Sequence, residues 1–337
     1  MIVRAVSVDA PLRYVNGDEP GLTRRRCGRG FKYLDDTGEP VRDRAVRRRL
    51  AALAVPPAWS AVWLCTHPRG HIQATGRDEK GRKQYIYHPE WRERREHAKY
   101  ARLADFAAVL GRVRRRIGED LAVARPDEPD ERAVLAAAAQ LLDLTGIRIG
   151  NRSYFDENGT VGLTTLQSRH ATIKGDRIGL RFKAKSGKLV EFRLNDRKLA
   201  RILLQCEELP GQRLFRYRAG ETVREIDSAR FNDYLREASG ADITAKDFRT
   251  WIGTVTVVET WLGAGDRPLK IKEATAAAAK RLANTPAITR RSYIHPRILD
   301  IVTSRAPTGQ ELRSARRNGV RLTGPELLSA RLLEDGT

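Results

Sequence analysis

A phenol, an amide and two guanidinium groups crowd the stretch 284–293 (Asn-Thr-Pro-Ala-Ile-Thr-Arg-Arg-Ser-Tyr). Tyr293 follows Asn284 by nine residues and Arg290-Arg291 by two. A phenolic oxygen is a candidate nucleophile, and guanidinium and amide N–H groups beside it form a donor set for an anion. Thr285 followed by Pro286 reads as an N-cap with proline in the first helical turn. Pro296 ends the segment, because the residue before a proline disfavours helix. Tyr293 is therefore expected near the end of a short helix. Taken alone, a tyrosine beside Arg-Arg in a basic chain is more often a phosphate contact or a packed aromatic.

Three further short runs change that balance. Arg148 stands in Ile-Arg-Ile-Gly-Asn (147–151), where flanking isoleucines that should be buried would fix the point from which its guanidinium leaves the scaffold. A preorganised cation suits a transition state that gathers negative charge, although an arginine between apolar residues also suits a structural ion pair. Lys185 and Lys188 flank a Ser-Gly turn between two alternating runs, which places Lys185 at a hairpin tip, where a lysine commonly faces water or a phosphate. Arg249 lies in Lys-Asp-Phe-Arg-Thr (246–250), in a helix capped by Thr244. In chain order the set is Arg148, Lys185, Arg249, Asn284 and Tyr293. Metal-free phosphodiester transesterification needs these parts: a phenolic oxygen to attack phosphorus, donors for the non-bridging oxygens, and an acid for the departing alkoxide. A phosphotyrosine ester conserves the energy of the broken bond, so resealing would require no ATP.

The elements that must position these groups read as an α+β chain in two domains, a small β-rich one over 1–90 and a mostly helical one over 91–337. In the first, short strand-like runs alternate with turns, joined by a basic helix over 42–53. Asp35-Asp36 before Thr37-Gly38 is read as turn chemistry in preference to metal binding. The run Gln84-Tyr85-Ile86-Tyr87-His88 alternates, with Gln84 and Ile86 on one face and the tyrosines on the other. Lys80, Arg82 and Lys83 lead into it, so cations and aromatics share an edge, either as a nucleic-acid face or as a strand with its tyrosines in the core. In the second domain a long charged helix over 90–121 carries the stripe Trp91, Tyr100, Leu103, Phe106, Leu110 and Val113. An Ala/Leu helix follows over 132–144, then a three-stranded antiparallel sheet within 168–194. Helices are expected over 196–209, 227–239, 245–262, 270–283, 296–304 and 325–333.

The charge balance names the partner class. Across 337 residues Lys+Arg number 63 and Asp+Glu 42, a net charge of +21. A surplus this large implies a polyanion, with nucleic acid the default. The 50 arginines against 13 lysines suit bidentate phosphate contacts. The basic stretches 24–26, 80–83 and 114–116 are the candidates for phosphate neutralisation, the last being alternatively a solvated face. Three isolated cysteines have no zinc-site spacing. With no signal peptide and no membrane-length apolar run, a cytoplasmic protein is expected. No P-loop, dinucleotide fingerprint or carboxylate cluster is found, so neither cofactor nor metal is expected.

The sequence resembles the type IB DNA topoisomerases of the bacterial and poxvirus kind. The matching runs are Gly-Arg-Lys-Gln-Tyr-Ile-Tyr-His (81–88), 147–151, the Lys185 hairpin, 246–250 and 284–293. The resemblance implies that Tyr293 forms a 3′-phosphotyrosyl link and that Arg148 and Arg249 stabilise the phosphorane. Lys185 would protonate the 5′-oxygen, assisted by Arg148, and Asn284 would donate to a non-bridging oxygen, a position held by His or Asn in the family. Gln84, Tyr85, Tyr87 and Tyr154 match DNA-contacting positions, and Lys83 adjoins them. A C-shaped clamp around duplex DNA, relaxation by strand rotation, and a monomer are implied as well. Two alternatives stand against this: a tyrosine recombinase, which shares the catalytic fold but typically carries His where this chain has Lys246, and a non-enzymatic basic architectural protein.

Overall fold

The computed structural model describes residues 11–123, 128–152, 155–156 and 159–334. The chain divides into two compact units at Lys99/Tyr100, and its class is α+β.

The first unit is an antiparallel sheet of five strands in the order β2-β1-β3-β4-β5: β1 (Leu22–Cys27), β2 (Gly30–Leu34), β3 (Ser60–Leu64), β4 (Ile72–Arg77) and β5 (Lys83–Tyr87). Helix α1 (Arg44–Ala52) is capped by Asp43, whose carboxylate accepts from the amides of Ala45 (2.7 Å) and Val46 (3.2 Å). Val46 and Leu50 of α1 join Leu22, Val62, Leu64 and Ala74 in a small core, with Ile86 packed against it. The Asp35 carboxylate accepts from Thr37 N, Thr37 Oγ1 and Glu39 N, which makes it a turn former. The basic stretch 24–26 needs a correction at its first residue. Arg24 donates to the carbonyls of Val55, Pro56 and Trp59 at 2.7–2.9 Å and lies 4.1 Å over the Phe31 ring. Those three carbonyls lie in a chain reversal after α1, so this guanidinium serves the fold.

Helix α2 (Pro89–Ala122) begins in the first unit and ends in the second, where α3 (Glu131–Thr145) precedes an antiparallel sheet β6 (Ala171–Lys174), β7 (Arg177–Lys183) and β8 (Leu189–Asn195), in the order β6-β7-β8. Then come α4 (Arg197–Glu208), α5 (Ser228–Ser239), α6 (Ala245–Gly263), α7 (Ile271–Arg281), α8 (Pro286–Tyr293), α9 (Pro296–Ser304), α10 (Gly309–Ser314) and α11 (Gly324–Glu334). The expected stripe of α2 is buried from Tyr100 to Val113, and Phe106 meets Phe248 of α6 edge-on at 4.9 Å. Two features escaped the sequence reading, the hairpin β9 (Arg216–Ala219) with β10 (Thr222–Glu225) and the short α10. Both are too brief for a periodic pattern to stand out.

Arg114 is neither a solvated face nor a free DNA contact. It pairs with Asp143 (2.7 Å) and Glu326 (2.7 Å), and Glu326 also accepts from Trp251 Nε1 at 3.2 Å. A buried acid on α11 thus draws Arg114 inward and ties the C-terminal helix to α6. Arg116 likewise pairs with Asp120 at 3.0 Å. Burial pushes the Glu326 carboxyl up, but the Arg114 hydrogen bond and charge outweigh it and hold it below the usual range. Its stabilisation is therefore present above the ordinary glutamate pKa and is lost as pH falls through the depressed value. Glu326→Ala is expected to destabilise this unit by roughly 2–3 kcal/mol, less than for a fully isolated pair because Arg114 keeps Asp143. Differential scanning calorimetry should show that as a fall of roughly 5–10 °C in Tm.

Candidate active site

Three turns converge in the second unit. The first follows α3, whose C-cap Gly146 is left-handed at φ 64° and leads straight into Ile147 and Arg148. Ile147 is buried and Ile149 is packed against the core, as the flanking isoleucines imply. The segment is pinned by Leu163 N to Arg148 O (2.7 Å) and Thr164 N to Ile149 O (2.8 Å). Gly150 and Gly162 permit this approach, since a Cβ on Gly162 would lie 2.5 Å from the Gly150 backbone. The second turn follows α7, where Ala283 takes φ 50°, unusual for a side-chain-bearing residue, and delivers Asn284. The third is the end of α8, capped at its start by Thr285 as expected, and it carries Tyr293.

Arg249, on α6, joins all three. Its side chain is 5% exposed. One terminal nitrogen donates to the Gly146 carbonyl, and the other donates to Leu282 O at 3.1 Å. The guanidinium carbon stands 4.9 Å from the centre of the Tyr293 ring. Arg148 donates to Asn284 Oδ1, which orients the amide so that its nitrogen is left over. Arg148 has no acidic partner among the described residues, so the structural ion pair considered for it is not what holds it. Asn284 Nδ2 and Arg249 Nε are both buried without a hydrogen-bond partner among the described residues. Buried donors are almost always satisfied. Two such donors near one phenol are available to an anionic oxygen.

Burial pushes the Tyr293 phenol up, but the charges of Arg249 and then Arg148 outweigh it, and its pKa lies below the ordinary tyrosine value. Lys246 contributes in the same direction. Burial lowers the Arg249 pKa, an effect that Tyr293 offsets in part. The two other described tyrosines that compete as nucleophiles are engaged elsewhere. Tyr217 donates to Glu131 (3.0 Å) and Tyr234 to Asp120 (2.9 Å), and both are shifted upward, in each case by burial first.

Four of the five expected residues thus meet. Lys185 is exposed in the single turn Lys185–Gly187 between β7 and β8, and among the described residues it makes no hydrogen bond to the other four. The neighbouring Lys188 makes the contact instead, donating to the Asn284 main-chain carbonyl at 3.0 Å.

Sequence reasoning also missed what seats the tyrosine. Gly253, one turn after Arg249, packs on the end of α8, and a Cβ there would meet Tyr293 O at 2.3 Å. His295 N donates to Thr254 Oγ1 (3.1 Å), and the Tyr100 hydroxyl donates to Arg291 O (3.1 Å). A glycine inside an otherwise apolar helix was the available signal for Gly253.

In the first unit, β5 presents Lys83, Tyr85 and Tyr87 on the face opposite Ile86. Tyr85 and Tyr87 stack with ring centres 5.8 Å apart, Tyr85 is 41% exposed, and Lys83 Nζ lies 5.7 Å over its ring. The tyrosines therefore do not sit in the core. Gln84, on the inner face, donates to Asp78 at 2.9 Å. Tyr154 lies outside the described residues. Among the described residues no group of three or more His, Cys, Asp or Glu is placed to hold a metal ion, and no helix is long and apolar enough to cross a membrane.

Comparison with known proteins agrees with this constellation. Residues 88–302, well over half of the chain, match the family described as eukaryotic DNA topoisomerase I, catalytic core. Residues 30–78 match the bacterial DNA topoisomerase IB N-terminal domain. The chain is 28% identical over 291 residues to DNA topoisomerase 1B of Acanthamoeba polyphaga mimivirus, covering 81% of this chain and 85% of that protein. It is 25% identical over 240 residues to DNA topoisomerase 1B of Vaccinia virus (strain Copenhagen), covering 67% and 71%. With both of its units matched in this way, the chain belongs to the type IB DNA topoisomerases.

Proposed function

We propose that this topoisomerase relaxes supercoiled duplex DNA without ATP or metal through a tyrosyl-DNA intermediate. The reading rests above all on the phenol of lowered pKa beside two buried donors that lack partners. Tyr293 Oη would attack the scissile phosphorus, forming a 3′-phosphotyrosyl ester as the bond to the 5′-oxygen breaks. Arg148, Arg249 and Asn284 would bind the non-bridging oxygens as charge builds. Lys185 would give its proton to the leaving 5′-oxygen, and reversal of the same steps reseals the strand. Between the two, rotation of the free 5′ end releases supercoils. A division of labour follows, with the N-terminal unit gripping DNA through Lys83, Gln84, Tyr85 and Tyr87, and Tyr154 carrying the same assignment by resemblance. The helical unit would close the clamp around the duplex. A monomer working in the cytoplasm fits this chemistry, which needs one tyrosine per cut. Relaxation of supercoiled plasmid in EDTA without nucleotide is the direct test, and failure under those conditions defeats the metal-free reading.

The role of Lys185 has its own test. Lys185→Ala should slow cleavage of ordinary DNA by about 10²-fold or more, the usual worth of a general acid. Sulfur in place of the bridging 5′-oxygen leaves without protonation and should restore most of the rate. Equal defects on both substrates would make Lys185 a charge or packing residue.

A further inference from the structure

Asn284 and the turn before it are held by three cations. Arg148 holds its side-chain oxygen, Arg249 holds the carbonyl of Leu282 two residues earlier, and Lys188 Nζ holds its own carbonyl at 3.0 Å. The first two have roles in the proposed chemistry, and the third does not. Lys188 is an otherwise exposed residue, and an exposed lysine gains little from a single neutral acceptor unless the contact fixes something in place.

What it fixes is the hairpin tip. The register of β7 with β8 ends at Lys183–Leu189, and the chain closes through Ala184 N to Lys188 O (2.8 Å) and Gly187 N to Ala184 O (3.1 Å). Only Lys185–Gly187 project beyond that closure. Lys188 thus closes the loop whose first projecting residue is Lys185. Among the described residues, the Lys188 side chain makes the one hydrogen bond from this loop to the Asn284 turn. The carbonyl it binds is presented by the left-handed Ala283, on the same residue whose amide nitrogen is left free for substrate.

We infer that Lys188 is a positioning residue for departure of the 5′-oxygen: its bond to the Asn284 carbonyl docks the hairpin so that Lys185 stands at the scissile phosphate. The inference rests on the assignment of Lys185 as the acid. It predicts a defect confined to the leaving-group step, because Lys188 touches neither the phenol nor the buried donors.

The test uses the full chain and a duplex with one cleavage site, carrying either oxygen or sulfur at the bridging 5′ position, in single turnover. Lys188→Ala should slow cleavage of the oxygen substrate by about 10- to 10²-fold, the scale of a misplaced catalytic group. The sulfur substrate should bring it back to within a few-fold of the parent, with duplex affinity held to about twofold. Lys188→Arg, which can still reach the carbonyl, should retain most of the rate. The double variant Lys185→Ala with Lys188→Ala should be no slower than Lys185→Ala alone, since residues acting through one another are not additive. Equal slowing of Lys188→Ala on both substrates, or a fall in duplex affinity that accounts for it, would make Lys188 a phosphate contact or a packing residue and overturn the inference. If sulfur restores Lys185→Ala and not Lys188→Ala, the positioning role alone falls. If sulfur restores neither, the acid assignment fails and the positioning role with it.

Discussion

Tyr293→Phe is expected to abolish plasmid relaxation while leaving duplex DNA binding within a few-fold of the parent. The substitution removes one oxygen from a side chain whose ring lies against Arg249, and phenylalanine keeps that ring and almost all of its volume. A single uncharged hydroxyl is worth about 0.5–1.5 kcal/mol as a net hydrogen bond, so neither fold nor affinity should change much. The reaction has no other route to a covalent intermediate within this site, and no residual slow relaxation is expected. Gel assays of supercoiled plasmid, paired with a filter-binding titration, would check both halves. Measurable relaxation by the variant would remove Tyr293 from the chemistry.

Loss of Arg249 has the second largest expected effect, because this one side chain supports the site in three ways. It bonds Gly146 and Leu282, the carbonyls that hold the Arg148 and Asn284 turns together. It leaves one buried N–H for the substrate, and its charge leads Arg148 in pulling the Tyr293 phenol down against burial. Arg249→Ala should therefore slow cleavage by at least about 10²- to 10³-fold, the scale for losing one preorganised donor to a developing anion. Arg249→Lys should recover little, since an ammonium cannot span two carbonyls with a planar fork. The pH profile separates the roles. With the phenolate as the proposed nucleophile, cleavage should rise with pH through the phenol's pKa, and the depressed pKa should place that rise lower than for a free tyrosine. Removing the cation displaces it to higher pH. A profile unchanged in position with the rate lowered throughout would show that Arg249 acts on the phosphate and turns alone.

Much of this site was legible because its parts are carried by local signals. Thr285-Pro286 starts the tyrosine helix, Gly146 stops α3 before Arg148, and isoleucines 147 and 149 declare a packed scaffold. The long helices followed from apolar periodicity, and the three-stranded sheet from alternation around a Ser-Gly turn. What stayed hidden depends on contacts distant in sequence. Nothing local distinguishes Lys188 from Lys185, and only the approach of residue 284, about a hundred positions later, gives Lys188 its bond. Arg24 and Arg114 read as basic surface, yet acceptors elsewhere in the fold claim them: three carbonyls after α1 for one, Asp143 and Glu326 for the other. Charge runs disclose a polyanionic partner in sum, but not which members of each run remain free to meet it.

In the proposed reaction Tyr293 carries the covalent bond to DNA. The measurement that reaches it most directly is peptide mapping of the adduct. Full-length protein is mixed with supercoiled plasmid in EDTA, denatured during turnover, and digested with nuclease and protease. The nucleotide-bearing peptide is then sequenced by mass spectrometry. A single modified peptide that contains Tyr293 is expected, with the phosphate joined to the 3′ end of the DNA. An adduct on Tyr154, Tyr217 or Tyr234, a 5′ linkage, or no adduct from protein that relaxes the plasmid would contradict it.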